Sequence, residues 1–148
     1  MTDLKTRITD DVKLAMKAGD KARLGVLRML TSEMKNREVV DSVELTDAVV
    51  IATLEKMLKQ RRDSESQFRA GNRPDLADIE AAEIVVLTGY LPQQLSDEEV
   101  GALITQGIAE TGAVGMKEMG KVMAWLKPQV AGKTDMGKLS GLIKAKLG

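Results

Sequence analysis

An all-α protein in two parts is the fold class this 148-residue chain predicts. Three observations carry that expectation. Apolar residues recur at three- and four-residue spacing along most of the chain, the period of a helix with one buried face. Good helix starters (Asp20, Thr46, Ser96) and stoppers (Gly19, Gly71, Gly112) divide the pattern into segments. One stretch, Gly89 to Glu99, separates long helices of mixed charge from shorter ones richer in glycine and lysine. The expected organisation is an N-terminal helical domain of about four helices over residues 1–92 and a small C-terminal three-helix bundle over 93–148.

Thr2 or Asp3 is placed to cap a first helix with Leu4, Ile8, Val12 and Ala15 on one face. Gly19-Asp20 ends it and opens a second helix, the short link of a helical hairpin. Leu24, Leu27, Thr31 and Met34 follow at helical spacing, and Val26, Met29 and Leu30 widen the stripe, so this helix is expected to be central. Asn36 to Glu44 has weak periodicity and is expected to be a loop. Thr46 caps a third helix reaching about Ala70. Roughly 24 residues at about 1.5 Å each make a rod of about 36 Å. Val50, Leu54, Met57 and Leu58 form its apolar face, and the same period lands on Arg61, Glu65 and Phe68. The plain expectation for Arg61 and Glu65 is a surface ion pair; the sharper one is a partner-docking site beside Phe68. Gly71 to Pro74 is a turn, and a fourth helix carries Leu76, Ile79, Val86 and Tyr90 on one face, with Glu80 and Glu83 close together.

Pro92 has no N–H and disfavours helix at Leu91, so the fourth helix should end near Tyr90. Ser96 with Glu99 reads as a capping box, and Leu95 as one end of a hydrophobic staple to Val100. The fifth helix turns Val100, Leu103, Ile104 and Ile108 inward and stops at Gly112. The sixth is expected over Met116 to Leu126, kinked or ended by Pro128, with Trp125 as the keystone of the small core. Thr134 or Asp135 caps the last helix, which contains Met136, Leu139, Leu142, Ile143 and Leu147.

Composition removes whole classes of chemistry. The chain has no cysteine and no histidine, so thiol catalysis, disulfides, thiolate or imidazole metal sites and a Ser/His/Asp triad are all excluded. Neither a catalytic residue nor a cofactor or metal is expected. The net charge is zero, so any nucleic-acid binding must rest on a local patch. Phe68, Tyr90 and Trp125 are the only aromatics, too few for a base-stacking platform. The polar start and the lack of any apolar run of about 20 residues argue against a signal peptide or a membrane span, and the expected location is cytoplasmic.

Residues 101–148 do hold such a patch: seven lysines against three carboxylates, a surplus of four positive charges. Gly120-Lys121 and Gly132-Lys133 each set a lysine beside a residue with no side chain, which lets a phosphate approach closely. Lysines that merely decorate a small bundle fit the spacing equally well. Gly132-Lys133-Thr134 is not a phosphate-binding loop of the nucleotide hydrolases, because Lys127 stands where the earlier glycine belongs and no strand precedes it.

Lys59-Gln60-Arg61-Arg62-Asp63-Ser64 with Phe68, Glu83 through Tyr90-Leu91-Pro92-Gln93-Gln94-Leu95-Ser96, Met119-Gly120-Lys121-Val122-Met123 and Gly132-Lys133 together resemble the GatB/YqeY family. The order and spacing are similar to the free-standing YqeY-like proteins along essentially the whole chain. The last third also resembles the tail domain of GatB, the tRNA-binding subunit of the tRNA-dependent amidotransferase. That resemblance implies a helical tail that contacts the outer corner of tRNA, and it carries over to Gly120, Lys121, Gly132 and Lys133. It does not extend to catalysis, since nothing here resembles GatB's kinase-like body or the serine-lysine machinery of its glutaminase partner.

The reading placed first is a non-catalytic accessory module that binds tRNA or a tRNA-like RNA through Gly120, Lys121, Lys127, Gly132, Lys133 and Lys138. The second is a protein-interaction adaptor using Arg61, Glu65 and Phe68. The third is the family label itself, carbon–nitrogen ligase activity with glutamine as amide donor, which would have to run on lysine, serine or carboxylate groups.

Overall fold

The computed structural model describes residues 3–148 and is all-α: among them lie seven α-helices and one 3-10 turn, with no strand. The contacts divide into two compact units, Met1–Leu91 and Pro92–Gly148.

In the first unit, α1 (Leu4–Ala18) is capped by Asp3, whose carboxylate accepts the Thr6 N–H at 2.7 Å. The alternative cap, Thr2, lies outside the described residues. α2 spans Lys21–Val40, so residues 36–40, expected to be a loop, are the last turns of a helix. They read as a loop because this end packs against little: Val39 and Val40 are 64% and 70% exposed, and buried periodicity has nothing to record. An Arg37–Asp41 pair at 2.9 Å, one helical turn apart, closes that end instead.

α3 (Asp47–Ala70) starts at Thr46, whose hydroxyl accepts the Val49 N–H, and ends at a turn in which Asn72, rather than Gly71, takes the left-handed conformation. α4 (Pro74–Thr88) has Pro74 in its first turn. The core of the unit joins Ile8 and Ala15 of α1, Val26, Leu27, Leu30 and Met34 of α2, Val50, Leu54, Met57 and Leu58 of α3, and Leu87 with Tyr90. α2 is central, as its wide stripe requires. Of the face expected for α4, Tyr90 just past its end is buried in the core and Val86 packs against it, but Ile79 does not turn inward. Ala77 and Leu87 are buried, whereas Ile79 is 58% exposed. The run Ala81-Ala82-Glu83-Ile84-Val85-Val86-Leu87 is apolar on nearly every side, so spacing alone did not select a face.

In the second unit, α5 (Asp97–Thr111) opens with the expected capping box between Ser96 and Glu99. Leu95 and Val100 both join the second core. A 3-10 turn, Met116–Glu118, leads into α6 (Met119–Val130), which continues through Pro128. Pro128 removes only the N–H that Ala124's carbonyl would accept, and Ala124 is exposed, so water can serve that carbonyl. α7 (Met136–Leu147) is capped by Asp135. Val100, Ile104, Val122, Leu126, Val130, Leu139 and Ile143 make the buried centre. Trp125 is not that centre. It lies partly buried at the margin, laid over Gly107 of α5 so closely that a Cβ there would stand 2.8 Å from the indole Cε3.

Candidate nucleic-acid interface

α6 buries Val122, Leu126 and Val130 and turns the opposite side outward. At 100° per residue along α6 and about 120° through the 3-10 turn before it, the exposed positions Gly120, Lys121, Ala124 and Lys127 of the helix and Lys117 of the turn fall within a stripe about 120° wide. The face therefore carries ammonium groups on three long stems with glycine and alanine between them. A Cβ added at Gly120 would meet nothing within 4 Å, so neighbouring side chains leave the backbone there open to approach. Glycine in a helix is unfavourable by about 1 kcal/mol relative to alanine, and no contact within the chain requires it at this position.

Lys121 lies 3.2 Å from Glu118, with its side chain 66% exposed. That hydrogen bond, followed by the Val114 N–H, holds the Glu118 carboxyl below the usual carboxylate range. An exposed pair of this kind is weak, so Lys121 is available to a stronger anion. Lys127 occupies the last turn of α6, where a cation complements the negative helix end.

The other expected residues sit elsewhere in the unit. Gly132 is in the left-handed conformation (φ 72°) and buried, and its carbonyl accepts the Gln94 Nε2–H at 2.6 Å. Lys133's carbonyl accepts the Leu95 N–H at 2.8 Å, and its own N–H donates to Val130. Here the glycine is needed for the turn itself, and the backbone of this step is already engaged by the segment that leads into α5. Lys138, in the first turn of α7, reaches Asp97 at 2.7 Å and ties the starts of α7 and α5 together. Lys117, which was not among the expected residues, shares the exposed face with Lys121 through the 3-10 turn before α6.

In the first unit, Arg61, Glu65 and Phe68 lie along α3, but Arg61 and Glu65 do not pair with each other. Arg61 Nε is 3.3 Å from Glu83 of α4, with only 14% and 18% of the two side chains exposed. Glu65 pairs with Arg69 at 2.8 Å, and Arg69 also reaches Asp78 of α4 at 3.3 Å. Cross-helix ion pairs thus fasten α3 to α4 where the apolar core has run out, and Phe68 is half-buried beside them. Glu80 is the carboxylate of this group with a raised pKa, first through desolvation and then through Glu83; Arg61 opposes the shift and Glu65 adds to it. Among the described residues no group of three or more acidic side chains is arranged to hold a metal ion.

Residues 5–147 match the sequence profile of the family described as Yqey-like protein. The chain belongs to the YqeY-like family. Among curated relatives, a Kluyveromyces lactis protein named "Altered inheritance of mitochondria protein 41, mitochondrial" is 36% identical over 143 residues, covering 93% of this chain and 72% of its own. The Lachancea thermotolerans protein of the same name is 28% identical over 98% of this chain and 79% of its own. The one from Pyrenophora tritici-repentis is 28% identical over 82% and 70%. These names correct the expected cytoplasmic location. These three relatives are mitochondrial by name, and the polar N-terminus that argued against a secretory signal carries no information about other compartments. No helix among the described residues is long and apolar enough to cross a membrane.

Proposed function

We propose that this YqeY-like protein is a non-catalytic accessory module that binds tRNA, or RNA folded like it, through the outer face of α6. The supporting observation is the single stripe that joins Lys117, Lys121 and Lys127 across Gly120 and Ala124. Lysine stems supply positive charge to phosphates, and the small residues let a sugar-phosphate backbone lie against the helix. The resemblance of the last third to the GatB tail points to the same partner. Recognition of this kind reads backbone shape rather than base sequence.

Binding of fluorescent tRNA, followed by anisotropy across a salt series, tests the reading. Three phosphate contacts give a slope of log K against log salt of about −2 to −3. Lys117→Glu/Lys121→Glu/Lys127→Glu abolishes binding, whereas Lys138→Gln changes it less than twofold because that lysine stands on α7, off the α6 stripe. Gly120→Ala separates stability from function: it stabilises the protein by up to about 1 kcal/mol yet weakens RNA binding. Undiminished binding by the triple variant overturns the proposal. Glutamine-dependent ammonia release by the pure protein would instead favour the carbon–nitrogen ligase reading.

A second reading, an adaptor for a protein partner, is favoured by the outer face of α4. There Ile79 and Val85 are 58% and 73% exposed, large apolar side chains left uncovered on the helix that packs against α3 and its Arg61, Glu65 and Phe68 segment. Ile79→Ser/Val85→Ser should then abolish capture of that partner and leave tRNA binding unchanged.

A further inference from the structure

A cleft of about 470 Å³ opens between α2 and α3 in the first unit, outside the α6 face. Its walls carry Arg28 and Arg61, with Met29 and Met57 giving apolar surface and Ser32 and Gln60 adding polar groups. The two guanidinium groups are poorly served by the protein. Arg28 Nη2 has the Met16 sulfur as its acceptor at 3.6 Å, and Arg61 Nη2 has the Met29 sulfur at 3.4 Å. A thioether is a weak acceptor. Arg61 Nε is buried and, although 3.3 Å from Glu83, is not aligned to donate to it. A buried donor left in that state is unfavourable unless something satisfies it. A guanidinium presents a planar fork that matches a carboxylate in two parallel hydrogen bonds.

The charge of the cleft narrows the ligand. Glu33 also lines it, whereas Glu83, the ion-pair partner of Arg61, does not, so the lining itself holds two cations against one carboxylate, a surplus of one positive charge. That balance disfavours a multiply charged phosphate and suits a single negative charge. The methionines favour hydrocarbon next to it: Met57 is almost fully buried and Met29 is 39% exposed, and their flexible thioethers adapt to varied apolar shapes. The volume lies within the range of small-ligand pockets, about 300–1,000 Å³.

We propose that the α2–α3 cleft binds a carboxylate carried on an apolar chain, the carboxylate on Arg28 and Arg61 and the chain against Met29 and Met57. The carboxylate comes from a free alkyl acid or from an acidic side chain beside apolar residues in a peptide. This site is separate from the α6 face and does not depend on the RNA reading.

Methyl NMR of the full-length protein, with the methionine methyls labelled, tests it directly. Sodium hexanoate is titrated against acetate and inorganic phosphate, and a second arm uses a short peptide with glutamate next to leucines. Hexanoate or the peptide is expected to shift Met29 and Met57 saturably while Met116, exposed in the other unit, stays still. Hexanoate should bind at least tenfold more tightly than acetate, because its added methylenes leave water. Arg28→Gln and Ser32→Phe, both at exposed positions, should each weaken binding at least tenfold, the first by removing charge and the second by filling the cleft. Response to hexanoate identifies a free acid, and response to the peptide alone identifies a protein source. Shifts that match at Met116, that persist in both variants, or that phosphate reproduces at equal concentration would overturn the proposal, as would silence in both arms.

Discussion

Tyr90 shows how much one side chain at the end of a helix can organise. Its ring is 2% exposed, its hydroxyl donates to Asp11 at 2.6 Å, Arg23 Nη2 donates to the same oxygen at 3.3 Å, and Arg7 stacks 4.9 Å from the ring centre. Arg7 also donates to the Gly89 carbonyl at 3.2 Å. Burial first, then the hydrogen bond to Asp11 and that residue's charge, push the phenol up to about 12, against the pull of Arg23 and Arg7. A raised acid pKa means that the folded state holds its proton longer than the unfolded chain. The contribution is therefore complete below the ordinary tyrosine pKa of 10 and is lost as pH rises from there to about 12. Because Tyr90 is the single tyrosine, tyrosinate absorbance reads this titration directly in the folded protein. Stability should fall by on the order of 1–2 kcal/mol more over that window than in Tyr90→Phe, less than full linkage because the neighbouring arginines are open to water. Gly107 is the matching residue of the second unit. Gly107→Ala would drive its methyl into the Trp125 ring; overpacking of about 1–3 kcal/mol outweighs the helix propensity gained. Urea unfolding followed by Trp125 emission should show a lower midpoint and a red-shifted native spectrum. Tyr90 was recognisable in the sequence as a face residue at the end of the fourth helix, because Pro92 follows it. Asp11, Arg23 and Arg7 were not recognisable as its partners, since each belongs to a segment about 70 or more positions away whose own pattern is complete without them.

At the scale of helices, local chemistry and tertiary packing divide the work. Asp20, Thr46 and Ser96 all cap where their side chains dictate, because a cap needs only the next three residues. Faces are another matter. α4 is apolar nearly all round, so its inward row was decided by α3 rather than by its own period. The α3–α4 ion pairs also join residues of different helices: Arg61 with Glu83 and Arg69 with Asp78. Within this group Glu80 has a raised pKa, so its charged form is the disfavoured one in the folded protein. Glu80→Gln should raise stability at neutral pH by a few tenths of a kcal/mol, as expected for a mostly solvated group. The gain should disappear as pH falls below the carboxylate range, where both chains are neutral at that position. Thermal unfolding of the two proteins at neutral and acidic pH checks both halves of the expectation. At α6 the stripe of lysines was partly visible: Gly120, Lys121 and Lys127 stood out in the sequence, while Lys117 joins them only once the 3-10 turn continues the exposed face.

For the whole molecule, the two cores share no residue, one ending with Tyr90 and Leu91 and the other beginning with Leu95. Each also contains one unique optical reporter, Tyr90 in the first and Trp125 in the second. We expect the units to unfold as separate steps. In a urea titration the Trp125 emission and the Tyr90 near-ultraviolet absorbance should then give midpoints that do not coincide, with the 57-residue second unit melting first because it buries the smaller core. A single coincident transition would mean that the halves unfold as one.

The sequence by itself determined the helical class, the main caps and turns, the break at Pro92 and the exclusion of thiol and imidazole chemistry, because each depends on residue type or on neighbours within about four positions. Only the tertiary structure decided that Gly132 and Lys133 are held by the segment before α5, that Trp125 sits at a margin over Gly107, and that Arg28 and Arg61 border one cleft. Those are relations between residues brought together by packing, and a periodicity read along one helix contains no term for the helix across from it.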